Sequence, residues 1–148
     1  MSTHLEHEIN EQPEVLARLL AEEMPTARRI AQAIKEFNPA FVHIAARGTS
    51  DNAARYAQYV LGAHARLPVA LAAPSLHTLY DAPPNLSRAL VMGISQSGQA
   101  EDVRRVLADA RDQGALTVSI TNDEASPMAQ TAHHHLFLHA GEEISVAA

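Results

Sequence analysis

The sequence predicts an α/β fold, a doubly wound sheet of five parallel strands in the flavodoxin-like order 2-1-3-4-5 with helices on both faces. Three observations lead to this prediction. Five short apolar runs are almost continuous, as in strands that are covered on both faces. Segments with helical periodicity separate most of these runs, as expected of βαβ units. Finally, 47% of the 148 residues are hydrophobic, which is enough for one domain with its own core.

The first predicted unit is an N-terminal helical arm over residues 1–39. Pro13 and Pro25 each stand where a helix can begin, because proline is tolerated at the first helical position, and they predict two or three short helices. The Asn38-Pro39 pair ends the last of them. Apolar residues three and four apart give that helix one face, and we expect the arm to pack on a partner or on a second domain.

The sheet and its helices follow the arm. The predicted strands span residues 41–46, 69–73, 89–94, 115–120 and 136–138, and the clearest helices span 51–64 and 99–113. The second of these helices has a buried stripe at i, i+3, i+4 and i+7. In its first turn, Glu101 complements the helix dipole and can pair with Arg105 four residues later. The stripe is formed by Val103, Val106, Leu107 and Ala110.

The chain ends in what resembles the opening of another helix. Gly141, Glu142 and Glu143 precede the apolar residues 144–148, so the C-terminal helix is expected to be truncated. A doubly wound sheet normally covers its last strand with a helix. We therefore expect a partner chain or further sequence to cover this edge.

Composition excludes several classes of protein. The chain has no cysteine, which excludes disulfides, thiolate metal sites and cysteine nucleophiles and indicates the cytoplasm. Its 11 Lys and Arg against 17 Asp and Glu give a net charge of −6, which argues against nucleic acid as a partner. No apolar stretch is long enough to cross a membrane.

Two strand ends carry the candidate site. The first predicted strand leads into Arg47-Gly48-Thr49-Ser50 and the third into Ser95-Gln96-Ser97-Gly98. Strands 1 and 3 are neighbours at the switch point of the predicted sheet, so both turns should face one crevice. Helix N-termini and hydroxyl donors suit a phosphate monoester. Neither turn matches the P-loop or GxGxxG, so ATP and NAD are disfavoured. The alternative is that these hydroxyls only cap helices.

These turns resemble the signatures of the sugar isomerase (SIS) domain, a family that binds phosphosugars. The resemblance covers essentially the whole chain and adds a third signature, residues 143–147. Residues 8–13 further resemble the segment before the first of two SIS domains in the isomerase half of glucosamine-6-phosphate synthase and in related deaminases and ketose/aldose isomerases. The resemblance implies a SIS domain over residues 40–148 that is incomplete at its C-terminus.

The resemblance also implies roles for individual residues. The turn after strand 3 would hold the phosphate and the turn after strand 1 would contact the sugar, with Val146 lining it. Ala100 stands where many members have a hydroxyl residue. Glu143 is the one carboxylate in a matching signature, and both a structural and a proton-transfer role are open to it. The implied binding residues are Gly48, Thr49, Ser50, Ser95, Gln96, Ser97, Gly98 and Val146.

The function implied is phosphosugar binding within an amino-sugar phosphate isomerase or deaminase. Such an enzyme interconverts an aldose and a ketose 6-phosphate, for example glucosamine 6-phosphate or fructose 6-phosphate, without metal or cofactor. The expected partner is a second copy of the chain or a second SIS domain. Two alternatives stay open: a sugar-phosphate-sensing regulatory module, and a truncated module that only dimerises.

Two other features admit more than one interpretation. The cluster at His133, His134 and His135, with His139, invites a metal site, but alternate strand residues point to opposite faces, so we expect solvated histidines. Arg47 lies beside the predicted crevice. Its guanidinium can bind a phosphate or carboxylate, or it can pair with Asp51.

Overall fold

The computed structural model describes residues 3–142 and residue 144, and it has the predicted fold. All five strands are parallel and lie in the order β2-β1-β3-β4-β5, so the predicted order is confirmed. The strands are β1 (Phe41–Ala46), β2 (Val69–Leu71), β3 (Ala89–Ile94), β4 (Leu116–Thr121) and β5 (His134–Phe137). The helices are α1 (His4–Phe37), α2 (Thr49–Val60), α3 (Ser75–Thr78), α4 (Glu101–Asp112) and α5 (Pro127–Thr131).

The register of the two central strands positions the candidate site. β1 and β3 pair along their whole length, from Phe41 opposite Ala89 to Ala46 opposite Ile94. Both strands therefore end at the same level of the sheet. The turns that begin at Arg47 and Ser95 leave side by side.

Helices cover both faces of the sheet, and the alternation of the strands divides the core in two. On β3, Leu90 packs with α1 and α2, whereas Val91 packs with α4 and α5. The predicted stripe of α4 is confirmed, because all four of its side chains are fully buried. Burial of its two valines and its leucine, each stabilising by about 1.5–3 kcal/mol, orients α4 on the sheet.

The prediction of several short N-terminal helices is wrong. Residues His4–Phe37 form one helix of 34 residues that contains Pro13 and Pro25. An internal proline costs about 3 kcal/mol because it removes one backbone hydrogen bond and crowds a carbonyl. Contacts distant in sequence offset this cost, since Ile30 is buried against the sheet and Glu23 accepts a hydrogen bond from His139. Thr3 and Glu6 begin the helix with a capping box.

The C-terminal half of α1 packs on the chain's own sheet, over β4 and β5. Its N-terminal half leaves apolar side chains exposed, among them Leu5, Ile9, Leu16 and Leu20. Thus the C-terminal half of the arm is one of the helices that cover the sheet. The predicted helix at 144–148 lies outside the described residues, apart from Ile144.

Element boundaries differ from the predictions by a few residues. α2 begins at Thr49 rather than residue 51, and a π-helical turn, Leu61–Ala65, follows it. β5 begins at His134, two residues before the predicted strand, because His134 pairs with Val118 of β4. No helix in the described part of the chain is long and apolar enough to cross a membrane.

Candidate functional site at the carboxyl ends of β1 and β3

The two polar turns form one open cleft, as the strand order predicted. We call it the β1–β3 cleft; its volume is about 310 Å³. A second cleft of about 340 Å³ adjoins it between the ends of β1 and β2, and Arg47 and Gly48 line both. The residues that line the β1–β3 cleft are Arg47, Gly48, Thr49, Ser50, Ser95, Gln96 and Ser97.

The turn after β1 exposes the N-terminus of α2 to this cleft. Gly48 has φ 55° and ψ −133°, a conformation that residues with a Cβ rarely adopt. It directly precedes Thr49, the first helical residue, and its carbonyl accepts a hydrogen bond from the Asp51 N–H at 3.1 Å. Gly48 has no side chain to cap the helix, and the first residues of α2, Thr49 and Ser50, line the cleft, so the positive end of the helix dipole lies beside it.

The turn after β3 is held by the end of β4 and by a bond within the turn. The Ser95 N–H donates to the Ile120 carbonyl at 3.1 Å, and the Gln96 carbonyl accepts from the Asn122 N–H at 2.8 Å. Within the turn, the Ser95 hydroxyl oxygen accepts from the Gly98 N–H at 3.2 Å. These bonds fix Ser95 before any ligand binds, which lowers the entropy cost of binding.

Gly98 lies behind the β1–β3 cleft, where it is buried. Its φ is +65°, and a Cβ at this position would lie 2.3 Å from the Ser126 hydroxyl oxygen. Close packing against Ser126 therefore requires glycine here. A role for Gly98 in holding phosphate stays a prediction.

Charged residues connect the two sides of the β1–β3 cleft. Arg47 forms an ion pair with Asp102 in the first turn of α4, and Asp51 pairs with Arg55 instead, so an Arg47–Asp51 pair is not formed. The predicted pair between Glu101 and Arg105 within α4 is also not formed. Glu101 instead pairs with Arg104, three residues later.

The amino end of α4 lacks a side-chain cap. Ala100 occupies the N-cap position with extended backbone, φ −65° and ψ 100°, and makes no side-chain hydrogen bond. The first-turn acids Glu101 and Asp102 complement the helix dipole there.

Two histidines of the cluster lie within hydrogen-bond distance of threonines of β4, while His133 is also exposed, as predicted. His133 Nδ1 lies 2.8 Å from the Thr117 hydroxyl oxygen, and His135 Nε2 lies 2.9 Å from that of Thr121. Burial lowers the pKa of both histidines. His139 contacts Glu23 of α1 at 2.8 Å. Across residues 3–142 and 144, no group of three or more metal-ligating side chains is placed to hold an ion.

Sequence reasoning missed a buried polar network beneath α3 and α4. His77 Nδ1 lies 2.9 Å from Asp109, whose other oxygen pairs with Arg105 at 2.9 Å. Desolvation, with a smaller contribution from the charge of His77, lowers the pKa of His43. A signal was present, since His43 is a polar residue inside an otherwise apolar strand. Glu143 and Val146, two further residues assigned by resemblance, lie outside the described part of the chain.

Known proteins share both the sequence and this architecture. Residues 40–148 match the family model of the SIS domain. Over 145 residues the chain is 36% identical to the glutamine–fructose-6-phosphate aminotransferase (isomerizing) of Thermus thermophilus, covering 95% of this chain and 24% of that enzyme. The Staphylococcus aureus enzyme of the same name is 33% identical over 146 residues, with the same coverage of 95% and 24%. The chain thus spans about a quarter of these curated relatives.

Solved structures agree with this assignment. A protein from Silicibacter pomeroyi DSS-3 assigned as a phosphosugar isomerase superimposes with a TM-score of 0.94 and 40% identity, over 98% of this chain and 44% of that one. The C-terminal domain of the glucosamine-fructose-6-phosphate aminotransferase from Francisella tularensis gives 0.83 and 27%, over 100% and 43%. By sequence and by fold, the chain belongs to the SIS domain family.

Proposed function

We propose that this chain is the phosphosugar-binding SIS domain of an amino-sugar phosphate isomerase or deaminase. The observation that carries the proposal is the β1–β3 cleft, which is lined by four hydroxyl residues from the two turns, Thr49, Ser50, Ser95 and Ser97. The names of the relatives support the choice of ligand, because the curated ones act on fructose 6-phosphate and one solved neighbour is assigned as a phosphosugar isomerase.

The chemistry of the β1–β3 cleft suits a phosphate monoester in three ways. Hydroxyl and amide groups donate hydrogen bonds, the amino end of α2 contributes partial positive charge, and Arg47, paired with Asp102, adds further N–H donors. These groups act locally, so they attract an anion even though the chain carries a net charge of −6.

The expected role of the β1–β3 cleft is binding and orientation rather than proton transfer. Among the described residues that line it, none is a carboxylate, an imidazole or an amine. An isomerase moves a proton between adjacent carbons and needs such a group. We propose that other parts of the protein supply it, Glu143 or a second SIS domain or subunit. The division into an arm at 1–39 and a SIS domain at 40–148 belongs to the same proposal.

Thermal stabilisation of the 148-residue chain tests this function. The ligands are glucosamine 6-phosphate, fructose 6-phosphate, the two unphosphorylated sugars and inorganic phosphate. A ligand that binds only the folded state raises the midpoint, by about 2.7 kcal/mol of stability at 100 times its Kd. We expect both sugar phosphates to raise the midpoint more than inorganic phosphate, and the unphosphorylated sugars to have little effect.

Two serine variants, one in the cleft and one as a control outside it, test which hydroxyls produce the shift. Ser95→Ala/Ser97→Ala removes two hydroxyls of the β1–β3 cleft and should abolish the shift. Ser87→Ala removes an exposed hydroxyl that bonds Asn85 before β3, at the opposite end of that strand, and should retain it. No shift from any sugar phosphate with the folded wild-type chain would contradict the proposal and favour the dimerisation module. Binding without turnover in the assembled protein would favour the sensor.

A further inference from the structure

We infer that Arg47 is the cationic phosphate ligand of the β1–β3 cleft, and that Asp102 neutralises it while the cleft is empty. The inference rests on the proposed function and deepens it. It assigns to Arg47 the charged contact with the phosphate group of the ligand.

Position is the first argument. Arg47 directly follows β1, and Asp102 lies in the first turn of the helix that follows β3, so their ion pair connects the two elements that carry the polar turns. Arg47 lines this cleft together with Ser95 and Ser97, the two serines of the opposite turn. A phosphate held by those serines would therefore share the cleft with Arg47.

The number of hydrogen-bond donors on Arg47 is the second argument. A guanidinium has five N–H donors in a planar fork, and the pair with Asp102 uses the Nη1 end. The Arg47 side chain is 66% exposed, against 27% for Asp102, so the guanidinium is accessible to a ligand while the carboxylate is partly covered. The remaining donors can contact a phosphate in the two-point geometry that arginine favours.

Compensation is the third argument. Ala100 caps α4 without a side-chain hydrogen bond, so the amino end of this helix offers an anion no hydroxyl at that position. Asp102 moreover places a negative charge in the first turn of α4, which by itself would repel a phosphate. Arg47 cancels that charge. Its guanidinium is also a stronger donor to phosphate than a serine or threonine hydroxyl at position 100 would be.

The inference predicts opposite effects for the two partners. Arg47→Ala removes a charged donor and also leaves Asp102 uncompensated, so affinity for fructose 6-phosphate should fall about 10-fold or more. Asp102→Asn removes only the repulsive charge, so affinity should equal or exceed that of the wild type. The double variant Arg47→Ala/Asp102→Asn should bind about 5-fold more tightly than Arg47→Ala alone, since one nearby unit charge has been removed.

The experiment is calorimetric titration of the folded chain and its variants with fructose 6-phosphate, glucosamine 6-phosphate and inorganic phosphate. Arg29→Ala is the matched control: it removes one positive charge from α1, where Arg29 bonds Thr26, and should leave affinity unchanged. Exposed ion pairs contribute little to stability, so Arg47→Ala should unfold at nearly the wild-type midpoint.

The outcomes separate this inference from the function on which it rests. If Ser95→Ala/Ser97→Ala abolishes binding but Arg47→Ala does not weaken it, the inference is wrong and the proposed function stands. If Arg47→Ala and Asp102→Asn weaken binding equally, and the double variant is no better than Arg47→Ala, the pair only fastens α4 to the turn after β1. If the wild-type chain binds none of the three ligands, both proposals fail.

Discussion

Gly98→Ala should destabilise the domain far more than an ordinary glycine substitution. Gly98 has φ +65°, which costs an alanine about 1–2 kcal/mol. The new Cβ would also lie 2.3 Å from the Ser126 hydroxyl oxygen and 2.4 Å from its Cβ, well inside contact distance. Ser126 is fully buried and its hydroxyl accepts the Ala129 N–H at 3.2 Å, so it cannot swing away freely. Overpacking of this kind costs a further ~1–3 kcal/mol.

Gly114→Ala is the matched control for the backbone contribution. Gly114 has φ +83°, and an added Cβ there meets nothing within 4 Å. Gly114→Ala should therefore lower the free energy of unfolding by close to the backbone cost alone, about 1–2 kcal/mol. Urea unfolding at equilibrium, followed by circular dichroism, gives the free energy of unfolding of each variant.

A double variant isolates the clash. Ser126→Gly removes the two nearest contacts of the new Cβ, so Gly98→Ala should cost at least ~1 kcal/mol less in that background than in the wild type. Equal losses for Gly98→Ala and Gly114→Ala, or strict additivity of Gly98→Ala with Ser126→Gly, would refute the reasoning. The turn that carries Ser95 and Ser97 would then not depend on contact with Ser126.

Three further predictions concern the core. Burial lowers the pKa of His43 below its usual 6.5, so the unfolded chain binds a proton at this histidine more readily than the folded chain, and stability falls as the pH drops below 6.5. The urea midpoint of His43→Gln should therefore fall less between pH 7 and pH 5.5 than that of the wild type. An equal fall of the two midpoints would contradict this. Leu107→Ala leaves a cavity beneath α4 and should cost about 2–5 kcal/mol in urea unfolding, whereas a loss below ~1 kcal/mol would contradict the packing described. Gln113→Ala unpairs the buried Leu86 N–H, which donates to the Gln113 amide oxygen at 2.7 Å, and should cost about 1–3 kcal/mol by thermal melting; Gln113→Glu keeps the acceptor and should lose less.

Much of the fold could be predicted because periodicity reports which face of an element is buried. The stripe of α4 is one example, since residues spaced three and four apart lie on one side of a helix whatever the helix packs against. The meeting of the two polar turns is another. Parallel strands of a doubly wound sheet have a restricted order, so the neighbours of β1 and the edge at which its turn emerges follow from topology.

Local signals misled at the prolines and did not reveal the partners of the histidines. Pro13 and Pro25 predict helix starts, and α1 nevertheless runs through both. The contact that matters there joins Glu23 and His139, which are 116 residues apart in the sequence. The histidines before and within β5 similarly find threonine partners on β4. No short window of sequence contains both members of these pairs.

The sequence by itself determined the class of sheet, the buried face of α4 and the location of the candidate site at two strand ends. These features depend on regular spacing and on the topological rules of parallel sheets. Only the tertiary structure decided the partner of Arg47, 55 residues away at Asp102, the continuity of α1 and the requirement for glycine beside Ser126. Each of these depends on side chains that come within a few ångströms only after the helices have packed on the sheet, where close packing selects partners that periodicity cannot specify.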